Sequence, residues 1–333
     1  MIESPHPVER TLGMEYYTTD SLGIGGMLRR QAEDFMVEEL SLPVEGPGPY
    51  LVCRLTKKNW ELLHLLKEIA RALGISHRRI SWAGTKDRHA VTTQLIAIYD
   101  VDPAMVERLS IKDVRLEVVG SSKVPLSLGM LQGNRFSLWL RECRGEELKS
   151  RVESGVGEAR KGLLNYYGVQ RFGARRPVTH LVGEQILFGD YESAVLTYVG
   201  RSFPDEPESA RLAREEFHRT RDAGAALKNF PLHLAYERSI LHHLVTNPTG
   251  FRKALAVLPP KLLSMFVSAY QSYLFNSALS ARCREGTPLT TPVKGDVLVF
   301  SDGRTDRVTP RLLPAAQLQL ERRRACLGLF IPG

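Results

Sequence analysis

Residues 79–99 read Arg79-Ile80-Ser81-Trp82-Ala83-Gly84-Thr85-Lys86-Asp87-Arg88-His89-Ala90-Val91-Thr92-Thr93-Gln94-Leu95-Ile96-Ala97-Ile98-Tyr99. An apolar segment leads in, a glycine breaks it, and a β-rich segment leads out. The pattern predicts strand, tight loop, strand, with Asp87 displayed on the loop. Loops held by rigid strands are where reactive groups tend to sit. Lys86 and Arg88 flank the carboxylate, and neighbouring cations favour its ionised form. An ionised carboxylate can act as nucleophile, base or metal ligand. Charge pattern alone favours a plainer outcome, a solvated cluster on a surface turn.

Upstream of this loop, Met27 to Leu40 reads as mostly extended, Gly46-Pro47-Gly48-Pro49 as a turn, and Tyr50 to Thr56 as a strand. Asn59 is a good helix N-cap residue type. Leu62, Leu63, Leu65, Leu66, Ile69, Ala70 and Leu73 follow at helical spacing, and Gly74 stops them. Downstream come a short helix near 103–109 and strands at 114–119 and 134–140. The first 143 residues therefore predict an α+β unit with a mixed or largely antiparallel sheet. Residues 1–26 read as an irregular lead-in ending in a glycine cluster.

From Glu146 onward helical patterns dominate, at 146–161, 191–200, 207–221, 235–246 and 260–281. In the last of these, Leu262, Leu263, Phe266, Val267, Tyr270, Leu274 and Ala278 predict one broad apolar face. Asp296 to Phe300 and Arg304 to Val308 flank an Asp302-Gly303 turn, the pattern of a small hairpin. Between the halves lies Asn165-Tyr166-Tyr167-Gly168-Val169-Gln170-Arg171-Phe172-Gly173. Its aromatic and cationic mixture suits RNA stacking and phosphate contact, and suits a packed interdomain hinge equally well.

The chain has 333 residues, 43% hydrophobic and 25% charged, which suits two packed units. No run of about 18 apolar residues is present, so no membrane span is expected. The N-terminus lacks the basic and apolar regions of a signal peptide, which makes the cytoplasm the expected location. Cys53, Cys143, Cys283 and Cys326 are dispersed, so reduced, buried thiols are expected rather than a zinc site or disulfides. No histidine lies in a metal-ligand spacing, and His242 and His243 read as ordinary helix residues. A net charge of +8 suits a polyanionic partner. The pairs Arg29-Arg30, Lys57-Lys58, Arg78-Arg79 and Arg175-Arg176, with Arg322-Arg323-Arg324, would track a phosphate backbone if they shared a face.

Gly84-Thr85-Lys86-Asp87-Arg88-His89-Ala90-Val91-Thr92-Thr93-Gln94 closely resembles the signature of the TruD family of tRNA pseudouridine synthases. Four further strings are similar to motifs of that family. They are Glu33-Asp34-Phe35-Met36-Val37-Glu38-Glu39, Gly133-Asn134-Arg135-Phe136, the segment from Asn165 to Gly173, and the segment from Ser268 to Asn276. The resemblance runs from about residue 30 to about 300, with order and spacing kept. It implies a pseudouridine-synthase-like catalytic domain over 1–162 and a mainly helical insertion domain over 163–333. It also implies a final segment returning to the catalytic domain. The chain stops at Leu327 to Gly333 with no counterpart of it, so that segment is expected to be missing.

The resemblance makes Asp87 the catalytic nucleophile and places Phe35, Asn134 and Phe136 around the target uridine. Lys86 and Arg88 would hold the carboxylate ionised or bind neighbouring phosphates. The implied reaction is isomerisation of a tRNA uridine, position 13 of the D-arm, to pseudouridine. It needs no cofactor and no metal, and the expected partner is tRNA, bound by a monomer with no membrane attachment. Two rivals keep other readings of the same residues. One is a truncated, non-catalytic RNA-binding protein. The other is a metal-dependent phosphoesterase using Asp87 and His89, which lacks a second acidic cluster.

Overall fold

Strand alternation and one amphipathic helix build the first half of the molecule. The computed structural model describes residues 1–42, 46–160 and 162–331. Two compact units emerge, one of residues 21–154 and one of residues 1–20 with 155–333. In the first, strand Tyr50–Lys58 pairs antiparallel with Val91–Tyr99 on one side and Val114–Ser122 on the other. Leu51, Cys53 and Leu55 point to one face and pack with Ile96 and Ile98 against helix Leu62–Ala72. That helix buries Leu62, Leu65, Leu66, Ile69 and Ala70, the one-face spacing of an amphipathic helix. Val52, Leu95 and Ala97 pack together on the opposite face. Each fully buried leucine of this core contributes about 1.5–3 kcal/mol.

The sheet has six strands. Five run in the order Val114–Ser122, Tyr50–Lys58, Val91–Tyr99, Phe35–Ser41, Leu131–Leu138, and Ile80–Trp82 pairs beside Val91–Tyr99. Only the pairing of Phe35–Ser41 with Val91–Tyr99 is parallel, so the sheet is mixed. The helix begins differently from the expectation. Asn59 has φ 58°, a left-handed conformation that asparagine tolerates, and does not cap. Glu61 is the cap, its carboxylate accepting from the N–H groups of Leu63 and His64.

The second unit is mainly helical. Its elements include Thr179–Leu187, Tyr191–Gly200, Glu208–Thr220, Ala235–Thr246 and Pro260–Arg284, around a core with Val182, Val195, Phe217, Ile240, Leu241 and Phe266. Helices Thr179–Leu187, Ala223–Asn229, Phe251–Leu255 and Leu313–Glu321 were not expected from periodicity. A Cβ at Gly183 would lie 2.0 Å from the Phe266 carbonyl oxygen, so a glycine is needed where these two helices touch. Val297–Phe300 and Thr305–Arg307 form the expected hairpin, and Ala325–Gly328 adds a third strand.

Residues 1–20 are not a loose lead-in. Leu12 and Met14 are buried with Phe172 and Ala269. The reason lies on the long helix, whose buried face carries polar groups. Asn276 Nδ2 donates to the Leu12 carbonyl at 3.0 Å, and Ser280 Oγ to the Gly13 carbonyl at 2.6 Å. The buried face is therefore Phe266, Ala269, Ser272, Asn276 and Ser280 rather than the purely apolar stripe expected. The Asn165 to Gly173 segment packs on the same helix. Tyr166 hydroxyl meets Ser280 Oγ at 2.7 Å, Arg171 Nε donates to Ser272 Oγ at 3.1 Å, and Phe172 is buried. Cys53 and Cys283 are buried thiols as expected, while Cys143 and Cys326 are not buried.

Candidate active site

Strand Val91–Tyr99 changes partner along one edge. Its far end pairs with Ile80–Trp82, at Ile96 to Ile98, and its near end with Phe35–Ser41, at Val91 to Thr93. The loop 83–90 arises at that exchange, and Asp87 sits on it. Backbone and side-chain bonds hold the loop at several points. Gly129 N–H donates to the Ala83 carbonyl at 2.8 Å, Gln94 Nε2 to Gly84 at 2.9 Å, and Asn59 N–H to Ala90 at 3.2 Å. Gly84 lets Lys86 pass, because a Cβ there would stand 3.1 Å from Lys86 Nζ.

The Asp87 carboxylate is half-buried, with Oδ1 3.4 Å from Arg29 Nη2. The Arg29 guanidinium lies over the Phe35 ring, 3.7 Å from its centroid. Phe35 meets Phe136 edge to face, centroids 6.0 Å apart. Carboxylate, guanidinium and two rings thus form one contiguous row. Phe35 is buried, with one face covered by Arg29, whereas Phe136 is 55% exposed. Asn134 lies opposite Glu39 and Phe136 opposite Val37, so both project from the same face of the edge strand. Asn134 is exposed, and its side chain makes no hydrogen bond among the described residues.

The two cations flanking Asp87 diverge. Lys86 turns inward, and its Nζ bonds Glu39 Oε2 at 2.6 Å with both side chains buried. It is therefore a structural tie and is not placed to meet phosphates. Glu39 Oε1 also accepts weakly from the Leu95 N–H at 3.4 Å, so the carboxylate is anchored to the central strand. Arg88 is exposed and lines a groove with Asn59, Trp60, Glu61 and His64, where the last two rings stack: Trp60 and His64 centroids are 5.7 Å apart. His89 is exposed as well.

Three residues were missed as parts of this site. Arg29 and Lys57 were seen only as members of basic pairs. Arg29 reaches Asp87 after a left-handed turn at its own φ of 59°, for which the sequence carries no signal. Lys57 is fully buried and donates to the Asp87 carbonyl at 2.8 Å and the Trp60 carbonyl at 2.7 Å. Burial pushes its ammonium down to about 8, against the pull of Asp87. Glu39 did carry a signal, as a charge at a buried position of a strand. Asp34 is buried too, and Arg141, bonded to it at 2.8 Å, holds its carboxyl below the usual range. Burial of Lys57, and the pairing of Arg176 with Glu206 and Glu237, also break the idea that the basic pairs share one phosphate-tracking face.

Comparison with known proteins places this geometry. The family model for tRNA pseudouridine synthase D (TruD) matches residues 11–333. The Methanosarcina barkeri protein named "Probable tRNA pseudouridine synthase D" is 41% identical over 98% of this chain and 77% of its own length. A protein of the same name from Halobacterium salinarum is 43% identical over 90% of this chain and 71% of its own. The solved structure of the TruD protein of Methanosarcina mazei superposes with a TM-score of 0.87, at 40% identity, over 96% of this chain and 76% of that one. By fold the chain is of the pseudouridine-synthase class, with a mixed sheet that carries an aspartate loop and a second, mainly helical unit. It belongs to the tRNA pseudouridine synthase D (TruD) family of isomerases. No helix among the described residues is long and apolar enough to cross a membrane, and no group of histidine, cysteine, aspartate and glutamate among them could hold a metal ion.

Proposed function

We propose that this protein converts a specific uridine of tRNA, uridine 13 of the D-arm, to pseudouridine, with Asp87 as the nucleophile. The observation that carries the reading is the row Asp87–Arg29–Phe35–Phe136, which ends in an open aromatic face. The glycosidic bond from C1′ to N1 breaks, the uracil turns, and a bond from C1′ to C5 forms. N1 takes up a proton and C5 releases one, so the product is an isomer and nothing is oxidised or reduced. As nucleophile, the Asp87 carboxylate bonds to C1′ as N1 departs, or to C6 of the uracil, and that bond breaks again as the isomer is completed, which frees the carboxylate. The Arg29 contact keeps that carboxylate oriented.

Extracting the uridine from its stack costs a few kcal/mol. Phe136 offers a face on which a base can stack, recovering about 1–3 kcal/mol. Asn134, free on the same face, can donate to and accept from the uracil edge. Phe35 supports the row from beneath, since Arg29 occupies its face. Arg88 and the Trp60–His64 pair lie in a groove suited to a neighbouring nucleotide. We assign residues 1–162 to the catalytic domain and 163–333 to the insertion domain, with the qualification that residues 1–20 pack with the helical unit. Asp87→Asn keeps shape and removes charge. Pseudouridine mapping on tRNA should show a loss of at least about 10³-fold in rate with tRNA binding retained. Undiminished conversion by the variant would sink the nucleophile assignment. No conversion by the wild-type chain would favour an RNA-binding role instead.

A further inference from the structure

Leu51, Cys53, Leu55 and Lys57 occupy one face of strand Tyr50–Lys58, the face that meets helix Leu62–Ala72. The first three are apolar and belong to the core. Lys57 continues the row at 0% exposure, where a fourth apolar side chain would serve packing better. Its Nζ makes two hydrogen bonds, both to backbone carbonyls. One belongs to Asp87 and the other to Trp60, the residue before the helix cap Glu61. Among the described residues no carboxylate forms an ion pair with it. A lysine buried without an ion-pair partner, joined to the backbone of the residue assigned as nucleophile, is not explained by packing.

We propose that Lys57 is a positioning residue of the isomerisation, its buried ammonium pinning the Asp87 backbone to the start of helix Leu62–Ala72 and adding a fixed positive charge behind the carboxylate. The proposal rests on the reading of Asp87 as nucleophile. Two tethers then act on the same residue. Arg29 meets the side-chain carboxylate, and Lys57 meets the main chain. The charged groups facing Nζ are Asp87 on the loop and Glu61 at the helix start, which favour the ammonium, and Lys86, which opposes it while paired with Glu39. Because burial sets the ammonium to titrate at about 8, the tether loses its charge within the working range of an assay.

The experiment is single-turnover pseudouridine formation on a tRNA transcript between about pH 6.5 and pH 9, with tRNA affinity measured in parallel. The full chain is compared with Lys57→Met, Lys57→Arg and Asp87→Asn. The wild-type rate should fall as pH rises through about 8, the sign expected when a required ammonium loses its proton. Lys57→Met should slow the reaction by about 10- to 100-fold at neutral pH, the scale of a displaced reacting group, with tRNA affinity unchanged and the alkaline fall gone. Lys57→Arg keeps its charge throughout, so it should retain activity above pH 8 better than the wild type.

A Lys57→Met rate within about twofold of wild type overturns the proposal, as does a defect confined to tRNA affinity. Should that variant not fold, an alkaline fall that persists unshifted in Lys57→Arg overturns it equally. The Asp87→Asn arm separates the two readings. If that variant is inactive while Lys57→Met is normal, only the role of Lys57 fails. If Asp87→Asn stays active, the nucleophile reading fails first.

Discussion

The two compact units bury charge in different ways. In the helical unit, Arg214 is 1% exposed and is met on all sides. It bonds Glu206 and Glu237, each at 2.8 Å, and donates to the carbonyls of Tyr198 and Val199. Arg176 joins the same carboxylates, so the network closes on itself. In the sheet unit, buried charges gather at strand ends near the Asp87 loop. Lys86 has Glu39 and Asp34 has Arg141, but Lys57 has only carbonyls. Fully compensated charge is the condition for a stable interior, because an isolated buried ion costs several kcal/mol. Charge left uncompensated beside a reactive group is the pattern of a functional site.

That contrast can be broken by measurement. The largest effect on stability is expected from Glu237→Gln, which leaves Arg214 and Arg176 to share the single buried carboxylate of Glu206. Denaturant unfolding should show a loss of about 3–5 kcal/mol, as for other broken buried pairs. Lys57→Met should lose clearly less at neutral pH, since it removes a charge that the fold accommodates poorly. Equal losses in the two variants would erase the distinction between the units.

A second test uses pH. Lys57 titrates at about 8 in the folded protein against an ordinary 10.5, so the folded state releases its proton first. Stability should rise across that window by up to about 3 kcal/mol, and the rise should vanish in Lys57→Met. His180, buried between the Phe172 and Tyr273 rings, is pushed down to about 4. Its contribution is present above its ordinary 6.5 and is lost as pH falls toward 4, again by up to about 3 kcal/mol. Unfolding followed across both windows should therefore assign the alkaline change to the sheet unit and the acid change to the helical one, with His180→Phe abolishing the latter. The smallest effect on stability, within about 0.5 kcal/mol, belongs to Phe136→Ala, because the ring is exposed. That variant should weaken tRNA binding or conversion by about 1–3 kcal/mol, and an unaffected enzyme would remove Phe136 from the site.

Much of the sheet unit was legible because its signals are local. Alternation marks Val91–Tyr99, and Gly84 marks the loop before it. Asp87 and its neighbours on the edge strand were legible through motif strings. What was hidden depends on long-range geometry. Lys86 looked like a partner of Asp87, yet its pairing with Glu39 is decided by the register of another strand. Arg29 and Lys57 lie far along the chain from Asp87, and nothing in a run of basic residues says which of them turns inward. On the long helix, Asn276 and Ser280 interrupt an apolar stripe, and only their bonds to the Leu12 and Gly13 carbonyls show why the polar side is the buried one.

The parallel pairing of Met36 with Val91 has a consequence for how the chain is made. Phe35–Ser41 touches Val91–Tyr99 on one edge and Leu131–Leu138 on the other. During synthesis, therefore, the segment bearing Phe35 emerges early and waits for both neighbours. Until Leu138 has left the ribosome, this strand stands with an open hydrogen-bonding edge, the condition under which nascent chains associate wrongly. Asn134 and Phe136, on the last strand of the sheet to be made, are thus the last parts of the Asp87 row to become available, and the loop acquires its full setting only when the whole sheet closes.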